Sequence, residues 1–152
     1  MNVDASITLK RPIDEVFAYV TDVPKMAHWV TGVSSAELIS DAMGNGARFV
    51  CRYTSAFRPN ELELVVTSYA PPAVFGIQIA RGPFNFDGTI SLEADGDGTR
   101  IVTTTAVDPD SLATRLASLL FGWFVAPSMR KRLTRELEAL RDAMMRERLA
   151  DA

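Results

Sequence analysis

The stretch from Ser34 to Val107 limits this chain more than any other feature, because its apolar runs alternate with turn chemistry at short spacing. The punctuation is Gly44-Asn45-Gly46, Arg58-Pro59-Asn60, Ala70-Pro71-Pro72, Gly82-Pro83 and Asp95-Gly96-Asp97-Gly98. The gaps between them hold six strands. A parallel crossover needs about a dozen residues or more, so connections this short make consecutive strands antiparallel neighbours and exclude a doubly wound parallel sheet. Side-chain parity agrees: Leu62, Leu64 and Val66 oppose Glu61, Glu63 and Thr67, and Phe84, Phe86, Ile90 and Leu92 oppose Asn85, Asp87 and Thr89. The sheet has one wet face and one dry face.

The segments on either side complete an α+β pattern. Val3, Ala5, Ile7 and Leu9 alternate with polar residues and predict a first strand. Pro12 followed by Ile13, Val16, Phe17 and Val20 predicts a short amphipathic helix with Asp14 and Glu15 at its positive end. Asp22 and Pro24 start a second short helix that reaches Trp29. After Asp108-Pro109-Asp110-Ser111 a helical period runs from about Leu112 to Glu147. Pro127 predicts a kink or break near Phe124 to Pro127. No repeat or linker interrupts the chain, so residues 1–152 are expected to form one domain.

The order of these elements resembles the helix-grip fold of the START/Bet v 1-like (SRPBCC) superfamily, a curved seven-stranded antiparallel sheet around a long C-terminal helix. The run Arg11 to Asp22, then Trp29, Gly44-Asn45-Gly46, Tyr69-Ala70-Pro71-Pro72 and Gly98-Thr99-Arg100 is similar to the polyketide cyclase/dehydrase branch. These marks set turns and helix entry, so they speak for fold more than for activity. The resemblance implies a small-molecule pocket, since a strongly curved sheet and a helix across its mouth leave an apolar cavity. Residues expected to line it are Trp29, Cys51, Tyr53, Leu64, Phe75, Phe86, Trp123 and Phe124. Each of these, taken singly, could also serve as core packing.

Chemistry is harder to place. His28 is the only histidine and would suit proton transfer if it pointed inward, although a histidine at a helix C-terminus is also favoured at the surface. Tyr53 is the other catalytic candidate. Cys51, the lone cysteine, has no adjacent base and reads as a small buried hydrophobe. The Asp95 to Gly98 loop lacks the third acidic ligand of a calcium loop, and Gly44 to Phe49 lacks a dinucleotide fingerprint. No metal or cofactor is expected. Among the arginines on or beside strands, parity sends Arg52 outward and leaves Arg81 open as an anchor for a ligand oxygen. Pairs at i, i+4 in the last segment, Arg132 with Glu136 and Asp142 with Arg146, read as a solvated helix face.

A net charge of −3 gives no general attraction to nucleic acid. The N-terminal residues lack a signal-peptide pattern and the cysteine count excludes a disulfide framework, which together suggest the cytoplasm. Leu116 to Met129 carries no charge but is too short to span a membrane, and Pro127 interrupts it. Residues Leu119 to Val125 are then a greasy lid, a peripheral membrane contact or a dimer patch, and the chain a monomer or homodimer. The leading expectation is a binder of a small hydrophobic molecule. The alternatives are a cyclase/dehydratase-type enzyme acting on a hydrophobic carbonyl substrate and an interaction module using the Leu119 to Val125 patch.

Overall fold

A computed structural model describes residues 2–53, 61–81, 86–106 and 126–151. Its sheet has seven antiparallel strands: β1 (Asn2–Leu9), β2 (Val33–Leu38), β3 (Arg48–Tyr53), β4 (Glu61–Ala70), β5 (Val74–Arg81), β6 (Asp87–Asp95) and β7 (Gly98–Ala106). The spatial order is β1-β7-β6-β5-β4-β3-β2, so the first strand closes the sheet beside the last and every other neighbour is a consecutive pair. The six strands and antiparallel pairing expected between Ser34 and Val107 are all present. This is the α+β helix-grip arrangement.

Two short helical elements sit between β1 and β2. Helix α1 (Ile13–Val20) begins one residue after Pro12, which stands at the N-cap with extended ψ, and it buries Val16, Phe17, Tyr19 and Val20. The second element, η1 (Val23–His28), is a 3₁₀ helix with its proline in the first turn. Pro24 is compatible with that position because the first N–H groups of a helix have no partner inside it.

The long helix α2 (Ala126–Asp151) places Pro127 in its first turn, where the missing N–H removes no ladder bond. The expected start near Leu112, the kink at Phe124, and the turns at Arg58-Pro59-Asn60 and Gly82-Pro83 lie outside the described residues. Leu133, Leu137, Leu140, Ala143 and Met144 are buried on one side of α2 and join the core. Its C-terminal half is tied to the small helices. Arg11 Nη1 donates to the Met144 carbonyl at 3.3 Å, and Lys25 Nζ to Glu147 at 2.9 Å. No described helix is long and apolar enough to cross a membrane.

The turns obey local sterics. Asp95 pairs with Gly98 to close β6 on β7 through two residues, the first of which, Gly96, has a φ of +62°. That is a glycine conformation, and it makes the Asp-rich loop a hairpin. Gly46 at φ +83° turns the chain into β3, where its N–H donates to the Val66 carbonyl at 2.8 Å.

Candidate functional site: a cavity between the sheet and α2

Residues directly opposite one another on antiparallel strands share a face, and successive residues alternate between faces. Phe49 pairs with Leu64, which pairs with Ile79, and Cys51 pairs with Leu62. These rows, together with Tyr53, Phe75 and Ile77, form the concave dry face. Against it pack Met26 of η1, Trp29 and Val30 just beyond it, and Leu133 of α2. The elements do not meet everywhere, and a partly open cavity of about 90 Å³ remains among the described residues. That is well below the roughly 300–1,000 Å³ of pockets that hold drug-sized ligands.

Six of the eight residues expected to line a pocket are on this wall: Trp29, Cys51, Tyr53, Leu64, Phe75 and Phe86. Trp123 and Phe124 lie outside the described residues, as does the Leu119 to Val125 patch. His28 is exposed and absent from the wall; its Nδ1 lies 3.4 Å from the Tyr19 hydroxyl on the outer side of η1. Arg52 faces outward between Glu37 and Glu61, as parity requires, and Arg48 pairs with Glu63 at the surface.

The polar members of the wall come mainly from residues that pattern reading passes over. Arg132 and Glu136 form the i, i+4 ion pair, Nε to Oε1 at 2.9 Å, but they are only 5% and 8% exposed and line the cavity. The solvated helix face expected for this pair is therefore corrected: it faces the interior. The signal is present in the spacing, because 132 and 136 continue by fours the row that holds Leu140 and Met144. The backbone N–H of Thr31 also donates to Glu136 Oε1 at 3.0 Å, which anchors the carboxylate from the η1 side. Thr103 and Thr105 of β7 join the wall because they alternate in phase with the fully buried Ile101.

Burial controls the electrostatics here. Desolvation raises the pKa of Glu136, opposed by Arg132 and by the hydrogen bonds of Thr31. Desolvation likewise pushes the Tyr53 phenol up, with Cys51 and Glu136 adding to the rise and Arg132 opposing it. The Cys51 thiol is pushed up to about 12 by burial alone. Tyr53 and Cys51 are thus held neutral near pH 7. Tyr53, Arg132 and Glu136 act on one another electrostatically, and Val33 of the segment after Trp29 pairs with Tyr53. They form one polar cluster in a chamber whose wall is otherwise apolar apart from the threonines of β6 and β7, Thr89, Thr103 and Thr105.

A family model for "Polyketide cyclase / dehydrase and lipid transport" matches residues 1–145. No curated protein sequence matches. Among solved structures, TTHA0849 from Thermus thermophilus superposes with a TM-score of 0.73 at 16% identity, over 97% of this chain and 99% of that one. NE0264 from Nitrosomonas europaea gives 0.71 at 11% identity, over 98% and 97%. The di-domain ARO/CYC BexL from the BE-7585A biosynthetic pathway gives 0.62 at 16% identity, over 91% of this chain and 46% of BexL. At these identities the structural likenesses establish the fold.

Proposed function

Because the chain belongs to the polyketide cyclase / dehydrase and lipid transport family, we propose that it binds a small lipophilic molecule in the cavity between the sheet and α2. The observation that carries this reading is the wall itself: a partly open space faced by Phe49, Leu62, Leu64, Phe75, Ile77 and Ile79, with a few polar side chains, Tyr53, Arg132 and Glu136 among them. Apolar surface supplies affinity without direction, and a few placed polar groups set orientation. Trp29, Cys51, Tyr53, Leu64, Phe75 and Phe86 are the proposed contacts. The ligand is small, about one ring in size unless the wall side chains shift. We place the protein in the cytoplasm, consistent with a lone, buried cysteine.

A second reading, a cyclase/dehydratase-type reaction on a hydrophobic carbonyl substrate, is favoured by the convergence of Tyr53, Arg132 and Glu136 on the same cavity. Buried titratable groups that converge in a cleft are the arrangement that proton transfer uses. Binding precedes either outcome.

Native mass spectrometry of the purified protein, followed by denaturing extraction, tests the reading. A compound of defined mass that leaves only on denaturation supports it. No bound mass, together with no thermal stabilisation by a panel of small lipids and single-ring aromatics, refutes it.

A further inference from the structure

The outward side of α2 carries an ordered set of charges that the cavity does not use. From Arg130 to Leu149 its exposed cations are Arg130, Lys131, Arg135, Arg141, Arg146 and Arg148, against Glu138 and Asp142 as exposed acids, in a chain whose net charge is −3. Helical spacing puts Arg130, Arg141 and Arg148 in one row and Arg135 and Arg146 in another, and the strip between the rows ends in Met145 and Leu149. Met145 is 57% and Leu149 71% exposed. Two of the three large apolar side chains that stand in solvent among the described residues are thus neighbours at i, i+4 on this strip. In the last two turns, residues 143–149, the exposed side chains are Met145, Arg146, Arg148 and Leu149. The one acid there, Glu147, is half-buried and held by Lys25 at 2.9 Å.

A helix C-terminus favours cations, which accounts for arginines at this end but not for Met145 and Leu149 in water between them. An apolar strip with arginines on both shoulders suits a bilayer surface, where the apolar groups enter the headgroup boundary and the guanidinium groups reach lipid phosphates. Glu138 and Asp142 lie nearer the middle of the same strip. They confine the contact to the C-terminal end of the helix, and a polyanion lying along the whole face would meet both carboxylates. We propose that Met145, Arg146, Arg148 and Leu149, with Arg141 behind them, dock the protein on an anionic phospholipid membrane. With two apolar side chains the attachment is weak and reversible, and it requires anionic lipid. It does not depend on what the cavity holds.

Flotation of the full chain with vesicles tests the proposal. The protein is expected to rise with phosphatidylserine-rich vesicles, to stay behind with pure phosphatidylcholine, and to be released as salt is raised, because screening shortens the reach of surface charge. Near an anionic surface each basic residue is worth about fivefold in binding, so Arg146→Gln with Arg148→Gln is expected to weaken attachment roughly 25-fold. Met145→Ser with Leu149→Ser is expected to weaken it at unchanged charge. Arg48→Gln with Arg100→Gln removes the same charge from exposed positions on the outer face of the sheet and is expected to weaken it far less. Hydrogen exchange of the wild type gives a reading free of substitutions: the amides of residues 143–149 gain protection on phosphatidylserine-rich vesicles. Failure to float with those vesicles at low salt overturns the proposal, as does equal flotation with phosphatidylcholine. Equal weakening by the sheet pair assigns the effect to net charge and overturns the site. Attachment that the serine pair leaves unchanged and that double-stranded RNA displaces overturns it in favour of a general polyanion site.

Discussion

Arg132 Nε and Glu136 Oε1 lie 2.9 Å apart, one helical turn from each other, on the side of α2 that closes the cavity. A buried pair gains Coulomb energy only against a large desolvation cost, and removing one partner strands the other charge. Arg132→Met alone, which leaves the Glu136 carboxylate buried without its partner, is expected to destabilise the fold at pH 7 by about 3–5 kcal/mol. The double replacement Arg132→Met with Glu136→Leu is expected to be neutral or stabilising by about 1–4 kcal/mol. Urea unfolding of the two variants measures both. A pair kept despite such an energetic cost is consistent with a role in ligand recognition.

The raised pKa of Glu136 has a defined sign in stability against pH. Over the interval between its unfolded and folded pKa values the native state holds more protons than the unfolded one, so stability falls as pH rises through that interval. The contribution is fully present below the ordinary carboxylate range and lost above the folded value. Relative to Glu136→Gln, the wild type is therefore expected to gain stability as pH is lowered through this window. Thermal unfolding of both proteins from pH 7 to pH 4 reads the difference.

Much of this site is legible in the spacing of residues. Alternation places Leu64 and Cys51 inward and Arg52 outward, because a strand has only two faces and burial of one decides the other. Ile13 to Val20 forms a helix with the expected bounds. Arg132 and Glu136 mislead, because an i, i+4 ion pair looks the same on paper whether water or a cavity lies beside it. What distinguishes the two is a contact from a distant segment, the Thr31 N–H, that no local pattern encodes. Thr103 and Thr105 are hidden by composition, although their phase with Ile101 points inward. His28 is ambiguous in sequence between two faces of a short helix, and its ring is at the surface.

Cys51 gives a chemical check on the dryness of the chamber. It is 5% exposed, with its thiol pushed up to about 12 by burial. Its thiolate fraction at pH 8 is about a thousandfold or more below that of an unfolded cysteine. An aromatic disulfide reagent is expected to leave native protein unmodified over hours and to react within minutes in denaturant. Rapid native labelling would mean that solvent reaches the chamber freely.

Gly98 tests the closure of the sheet. A Cβ there would collide with the backbone carbonyl of Leu9, which cannot rotate away as a side chain could. Gly98→Ala is expected to lower stability by about 1–3 kcal/mol, whereas Gly44→Ala, where a Cβ meets nothing, should change it little. Chemical denaturation of the two variants side by side makes the comparison.

Whether the chamber takes up a ligand is decided by methyl NMR of isoleucine- and leucine-labelled protein titrated with acetophenone. Ile77, Ile79 and Leu64, which face the cavity, are expected to shift saturably while exposed Ile39 does not move. Leu64→Trp, which fills the space, is expected to abolish the shifts in a folded protein. Shifts confined to Ile39 and other exposed methyls, or unchanged binding in a folded Leu64→Trp variant, would mean that the ligand does not enter the space between the sheet and α2.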